Sequence, residues 1–168
     1  YGNNLKVGDS VTVLPSFTQS KVSNIHFFDK QFNEATVGSS ITIELENDIN
    51  VTRGDMIVKS DELPKVEKEI NSTICWMDSK SLVPGAKYLI QHNTNRILAK
   101  IDSIKNVIAT DYTGEKPASQ LTINEIGEVN IKLNKALYFD TYEDNKSNGA
   151  FILIDTATNT TAGVGFIN

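Results

Sequence analysis

Few residues of this chain have the type and spacing that chemistry requires. The histidines His26 and His92 are far apart in the sequence, and neither has a second ligand at metal-binding spacing. Cys75 is the only cysteine, so it cannot form an internal disulfide. It follows a strand-like run and precedes Trp76, which predicts a buried structural thiol. The sequence therefore predicts neither a zinc site nor a Cys–His nucleophile pair.

Carboxylates cluster at Asp140, Glu143 and Asp144, the pattern that general acid–base catalysis would need. Asn145 and Gly149 follow the cluster, and these residue types are typical of turns. We therefore interpret the cluster as a solvated loop. No catalytic, cofactor-binding or metal-binding residue is predicted for this chain.

Nucleotide motifs are short or incomplete. The chain has no Gly-x-x-x-x-Gly-Lys-Ser/Thr sequence, whose backbone amides and lysine would hold phosphates. Asp111-Tyr-Thr-Gly114 has the form of a GTPase switch motif, and Asn145-Lys-Ser-Asn148 half matches a guanine-reading motif but lacks its final Asp. Both lie between strand patterns, so we interpret them as turns. Arg53-Gly-Asp55 matches an adhesion tripeptide, but its position between apolar runs predicts a tight turn.

Composition limits the partners. A chain of 168 residues with a 39% hydrophobic share forms one domain or two small ones. The net charge of −5 does not favour a nucleic-acid partner. No apolar stretch approaches the length of a membrane span and no signal peptide is present, so we predict a cytoplasmic protein without a membrane partner.

The hydrophobic pattern is that of β-structure almost throughout. Apolar residues alternate with polar ones in several segments, with Gly, Pro, Asn and Asp between them. The alternating sets are Ile41, Ile43 and Leu45; Ala86, Tyr88 and Ile90; Val129, Ile131 and Leu133. Val11–Val13 and Ile104–Ala109 are further candidate strands. Short strands at this spacing favour barrels or sandwiches, so the predicted fold class is all-β.

Helix is predicted to be scarce. Ser119–Ile126 is long enough for one turn, and Asp61–Glu69 has helical composition but contains Pro64. The charged stretch 60–69 is the best linker candidate, which predicts modules at residues 1–63 and 64–168. The first module is small for a closed barrel, so we expect it to lack its leading strand or strands.

The last twenty residues predict a buried strand, a tight turn and a closing strand. The apolar run lies within Gly149–Asp155, the turn formers are Thr158–Thr161, and Gly163–Ile167 closes the pattern.

These segments form an ordered series that resembles a known GTPase family. Lys6-Val-Gly-Asp9, Val13-Leu-Pro-Ser16 and Arg53-Gly-Asp55 look like domain two of a translation-type GTPase. Together with segments of the second half, they resemble the GTPase large subunit (subunit 1) of bacterial sulfate adenylyltransferase, and this resemblance spans nearly the whole chain. The matching segments of the second half are Trp76-Met77, Leu82-x-Pro84-Gly85-x-x-Tyr88, Leu121-x-x-Asn124-x-Ile126-Gly127, Asp140-x-Tyr142-x-x-Asn145 and Asp155-x-x-Thr158-Asn159-x-Thr161.

The resemblance implies a fold and a role. It implies two consecutive β-barrels, like domains two and three of elongation factor Tu, preceded by a G domain that binds GTP and Mg²⁺. The family forms adenylyl sulfate and pyrophosphate from ATP and sulfate and couples that reaction to GTP hydrolysis. Adenylyl transfer belongs to a separate catalytic subunit. The barrels are therefore expected to hold no active site or cofactor, to dock the catalytic subunit and to relay the state of the upstream G domain.

An alternative is an elongation-factor-like module that binds RNA or protein. The terminal strand pair is neutral to acidic here, which argues against tRNA as a ligand. A secreted adhesive module, suggested by Arg53-Gly-Asp55 alone, is a third interpretation. Because aromatic side chains anchor interfaces, the candidate contact residues are Phe27, Phe28, Trp76 and Tyr142. Trp76, next to Cys75, fits a core position at least as well.

Overall fold

The structure is a computed structural model that describes residues 3–109 and 114–168. The chain divides into two compact units, Tyr1–Pro64 and Lys65–Asn168. None of the described residues lies in a helix, so the predicted all-β fold class is confirmed. Within the described ranges, there is accordingly no helix of the length and apolar character that crossing a membrane requires.

The first unit is a curled half-barrel. Its main sheet has the order β4-β3-β2-β7, with β6 also paired to β3, while β1 and β5 form a separate pair. The strand β3 curls because its first half pairs with β2 and its second half with β4 and β6. The strands are β1 (Leu5–Lys6), β2 (Ser10–Leu14), β3 (Thr18–Phe27), β4 (Lys30–Phe32), β5 (Glu34–Ala35), β6 (Thr42–Leu45) and β7 (Met56–Lys59).

The second unit is a closed barrel of six antiparallel strands. Its order is β10-β12-β8-β14-β13-β9, and the pairing of β9 with β10 closes the ring. The short strand β11 pairs with the end of β10. The strands are β8 (Lys65–Trp76), β9 (Lys87–His92), β10 (Asn95–Ile108), β11 (Glu115–Pro117), β12 (Ile126–Phe139), β13 (Ala150–Asp155) and β14 (Thr161–Ile167).

Period-two alternation fills the barrel interior. Val129, Ile131 and Leu133 of β12 point inward and are buried, as their spacing predicts. Tyr88 and Ile90 of β9 do the same. Residues between them face outward, so the ring encloses one apolar core.

The terminal strand–turn–strand is confirmed as β13, a turn and β14. The Asp155 carboxylate organises the turn, because it accepts backbone hydrogen bonds from Ala157 at 2.8 Å and Thr158 at 2.9 Å. These bonds, the Thr158 bond foremost, hold the pKa of Asp155 below its usual value. Asn159 supplies the left-handed residue that the turn requires, with φ of +57°.

The segment with helical composition, Asp61–Glu69, is not helical, in line with the prediction that helix is scarce. Its second half opens β8 and pairs with β12, so cross-strand bonding overrides helix propensity. Two local predictions are wrong. Ser119–Ile126 forms turns and one isolated bridge rather than a helical turn. Cys75 is half-buried rather than buried, because it lies on the outward-facing positions of β8, between the inward Ile74 and Trp76.

Arg53-Gly-Asp55 lies in a turn, as predicted. Asp55 N–H donates to the Thr52 carbonyl at 3.0 Å, and Thr52 N–H donates to the Asp55 carboxylate at 2.8 Å. The turn leads directly into β7. The preceding segment, residues 49–51, is not a strand, so the turn does not close a hairpin.

Candidate functional site

Three exposed phenylalanines lie together at one end of the first unit. Phe27 pairs with Lys30 across the β3–β4 hairpin, which leaves a two-residue turn at Phe28 and Asp29. Phe28 is 87% exposed, and Phe27 and Phe32 are each 42% exposed. The Phe27 and Phe28 rings meet edge to face with centroids 4.8 Å apart. We call Phe27, Phe28 and Phe32 the aromatic tip.

Phe28 occupies a backbone conformation that folding alone does not favour for this residue. Its φ is +52°, in the left-handed region where a bulky side chain costs about 1–2 kcal/mol. Tight hairpins place Gly, Asn or Asp at such positions. Because its ring is almost fully exposed, Phe28 adds little burial energy to offset this strain. Backbone strain of this kind is concentrated at functional positions.

An apolar groove of about 270 Å³ begins beside the aromatic tip. Its floor is apolar and belongs to the edge of the half-barrel core, while polar side chains occupy its rim. Its lining residues include Ile25, Phe27, Phe32, Ala35, Ile41 and, at the rim, Glu34. The groove has the size to accept one or two apolar side chains of a partner.

A polar cluster flanks the same hairpin. The His26 imidazole Nε2 lies 3.2 Å from the Glu44 carboxylate, and Asn24 donates to that carboxylate at 2.6 Å. Gln31 in turn donates to the Asn24 side-chain oxygen. The Asn24 hydrogen bond, followed by the nearby imidazole, lowers the pKa of Glu44 below its usual value. These contacts fix the outer face of β3 directly behind the tip.

The other two aromatic candidates are placed differently. Trp76 is fully buried in the core of the barrel, where its Nε1 donates to the Lys80 carbonyl at 2.8 Å. The structure thus favours the core interpretation of Trp76. Tyr142 is half-buried on the outside of the barrel, with its ring against Phe166 at 4.5 Å. Neither residue belongs to a surface with the exposure of the aromatic tip.

Sequence reasoning did not single out Phe32. The available signal was Asp29 between Phe27 and Lys30, since an Asp in a two-residue gap is typical of a hairpin turn. A hairpin there places Phe32 beside Ile25 on the neighbouring strand.

The predicted loop at Asp140 is a hydrogen-bonded turn. Asn145 and Asn148 both donate side-chain hydrogen bonds to the Asp140 carboxylate, at 2.9 and 3.0 Å. His92 Nε2 donates to the Asn148 carbonyl at 2.8 Å. The interpretation of Asn145-Lys-Ser-Asn148 as a turn is confirmed, because the backbone N–H of Asn145 donates to the Thr141 carbonyl and that of Asn148 to the Asn145 carbonyl. The other nucleotide-like motif, at Asp111-Tyr-Thr-Gly114, lies outside the described residues except for its glycine.

His92 should make stability depend on pH. Burial lowers the pKa of His92 from 6.5, so the folded state holds the neutral ring while the unfolded state binds a proton more readily. The titration of His92 should therefore leave the stability unchanged above about pH 7.5 and lower it as the pH decreases through about 6.5. The measurement is the urea midpoint of the chain at a series of pH values.

The matched variant is His92→Gln, whose amide nitrogen can keep the bond to Asn148. Its urea midpoint should change less between about pH 7.5 and 5.5 than that of the unmodified chain. The lowered pKa values of Asp155 and Glu44 act at lower pH, where carboxylates titrate, and do not overlap this window. Equal slopes in the two proteins would contradict the assignment to His92.

No group of three or more His, Cys, Asp or Glu side chains placed to hold a metal ion occurs in residues 3–109 and 114–168. Hydrogen bonds within the fold lower the pKa of Glu44 and of Asp155, and burial lowers the pKa of His92.

Comparison with known proteins places this fold in the class of GTPase-associated β-barrel domains. The sequence profile described as GTP-eEF1A C-terminal domain-like matches residues 69–168, and the chain belongs to that family. The chain is similar to sulfate adenylyltransferase subunit 1 of Colwellia psychrerythraea, with 39% identity over 162 residues, which are 96% of this chain and 35% of that protein. It is also 36% identical over 163 residues to the bifunctional enzyme CysN/CysC of Rhodopirellula baltica, covering 97% of this chain and 25% of that protein.

The chain therefore spans between a quarter and about a third of the length of these relatives. Solved structures show the same fold at low sequence identity. Sup35 complexed with GDP superposes with a TM-score of 0.84 at 17% identity, over 98% of this chain and 41% of that chain. The elongation factor SelB of Methanococcus maripaludis gives a TM-score of 0.76 at 20% identity, over 98% of this chain and 37% of that chain. The predicted likeness to translation-type GTPase barrels is confirmed.

Proposed function

We propose that this chain is the non-catalytic β-barrel region of a GTPase subunit of sulfate adenylyltransferase. In this role it belongs to a cytoplasmic enzyme that couples GTP hydrolysis to the synthesis of adenylyl sulfate from ATP and sulfate. Its similarity to subunit 1 proteins over 96–98% of its length supports the assignment. GTP and Mg²⁺ would be bound by a G domain joined to these barrels, and ATP and sulfate by the catalytic subunit.

Within that enzyme, the aromatic tip would dock the catalytic subunit. The observation that carries this proposal is Phe28, which is 87% exposed and held at a φ of +52°. Aromatic residues supply a large share of binding energy at interfaces, and the adjoining groove offers a place for an apolar side chain. Stiff sheets with fixed loops can then transmit a change in G-domain position to the docked partner.

Binding of the catalytic subunit to the immobilised chain, followed by interferometry, tests the docking proposal. Phe28→Asn removes the ring but keeps a residue that tolerates the left-handed conformation. We expect this variant to weaken binding by about 2 kcal/mol or more, roughly thirtyfold, while the unfolding free energy stays within about 1 kcal/mol of the unmodified value.

The matched control is Met77→Asn, which removes an apolar side chain that is 50% exposed in the second unit. It should leave binding unchanged. No binding of the unmodified chain, at concentrations where a complete GTPase subunit binds, would refute the docking role. Binding of a structured RNA in place of the catalytic subunit would instead support the elongation-factor-like alternative.

A further inference from the structure

Three lysines face outward side by side on the barrel of the second unit. Lys100 of β10 is the direct cross-strand partner of Lys87 on β9 and of Lys132 on β12. All three are exposed. Neighbouring strands lie about 4.8 Å apart, so the row extends for about 10 Å across the strands. We call Lys87, Lys100 and Lys132 the lysine row.

This register is unfavourable for the fold alone. Among the described strands, four cross-strand pairs consist of two charged residues. Two of them join opposite charges, Lys6 with Glu34 and Lys132 with Glu69. The other two join like charges, and both include Lys100. Like charges directly opposite each other destabilise a sheet.

Acidic side chains compensate only one end of the row. Lys132 forms an ion pair with Asp102 at 2.9 Å and lies across from Glu69. Lys87 and Lys100 make no ion pair within the described part of the chain. Two adjacent ammonium groups are therefore left to solvent or to a ligand.

The row surrounds an apolar floor. A groove of about 220 Å³ is lined by the three lysines together with Leu98, Ala99, Leu133 and Asn134. Leu98 is 39% exposed on the same outer face. Asn134 lies where the β12–β8 register shifts after Lys132, and such bulges often accompany functional sites. The site thus combines cationic side chains with room for one small apolar group.

We infer that the lysine row binds an acidic segment of a partner protein, in which carboxylates flank one apolar side chain. Same-face side chains of an extended segment repeat about every 6.8 Å. Carboxylates at positions i and i+4 therefore lie about 13.6 Å apart and can reach the two ends of the row, while an apolar side chain at i+2, on the same face, enters the groove. Charge complementarity favours this occupant, and the apolar floor favours it over a bare inorganic anion. The inference concerns the second unit and does not depend on the aromatic tip.

The test is a fluorescence anisotropy titration of the whole chain at low salt, with a labelled peptide that carries several glutamates around one leucine. Lys100→Gln should weaken binding about two- to fivefold, and replacement of all three lysines by Gln about tenfold or more. Lys105→Gln, an exposed lysine of the same strand outside the row, is the matched control and should leave binding unchanged.

A second measurement separates ligand binding from a structural role. Because Lys100 faces two like charges, Lys100→Gln should raise the urea midpoint slightly while it weakens peptide binding. Three results would overturn the inference: no peptide binding to the unmodified chain, an equal loss in Lys105→Gln, or stronger binding of tripolyphosphate or RNA than of the peptide.

Discussion

Gly165→Ala is expected to destabilise the second unit by about 3 kcal/mol or more, because the new methyl group would enter the Phe151 ring. Phe151 and Gly165 are direct partners on β13 and β14. A Cβ on residue 165 would overlap the ζ carbon of that ring most severely and would lie 2.7 Å from Cε1. Phe151 is only 3% exposed, so its ring has no free space to move into. The measurement is urea unfolding followed by fluorescence of Trp76, the only tryptophan.

A double-mutant cycle identifies the clash as the cause. Phe151→Ala should itself cost about 3–5 kcal/mol, because it leaves a cavity in the core. In the Phe151→Ala/Gly165→Ala double variant the methyl group has nothing to overlap, so the double variant should be no less stable than Phe151→Ala alone. Additive losses would contradict the proposed cause and point to the backbone conformation of residue 165 instead.

For the strand pair β13–β14, the sequence predicts the local structure but not the contacts between the strands. Its apolar run and turn formers predict β13, the turn and β14, since burial and turn chemistry are local properties of the residues. The Gly165–Phe151 contact is not local, because it depends on which residues of the two strands lie opposite each other. In Asp61–Glu69, the local composition favours a helix, but pairing with the distant strand β12 makes its second half a strand.

The two candidate sites also differ in how much of them the sequence can predict. Phe28 can be named from the sequence as an aromatic interface candidate, but its exposure and its positive φ cannot be predicted from the sequence. The lysine row is invisible along the chain, because Lys87, Lys100 and Lys132 meet only through the barrel register. A net charge of −5 for the chain conceals such a local cationic surface.

Substitution of Trp76 should have the second large effect on stability. The size of this effect distinguishes a core residue from an interface anchor. Trp76→Ala should cost about 3–5 kcal/mol of unfolding free energy, because the side chain is fully buried and packs edge to face against Tyr88 at 5.4 Å. Trp76→Phe keeps most of the volume but leaves the Lys80 carbonyl without its donor, so we expect a smaller loss of about 1–3 kcal/mol. Circular dichroism during urea unfolding measures both, since these variants lack the fluorescent reporter.

The neighbouring residue gives the control. Met77→Ala changes an apolar side chain that is half exposed, so the unfolding free energy should stay within about 0.5 kcal/mol of the unmodified value. If Trp76 acts only in the core and the chain has the proposed docking role, Trp76→Phe should bind the catalytic subunit with the affinity of the unmodified chain at temperatures where both are folded. A folded Trp76→Phe variant that had lost this binding would show that the tryptophan reaches a partner, against its burial in this structure.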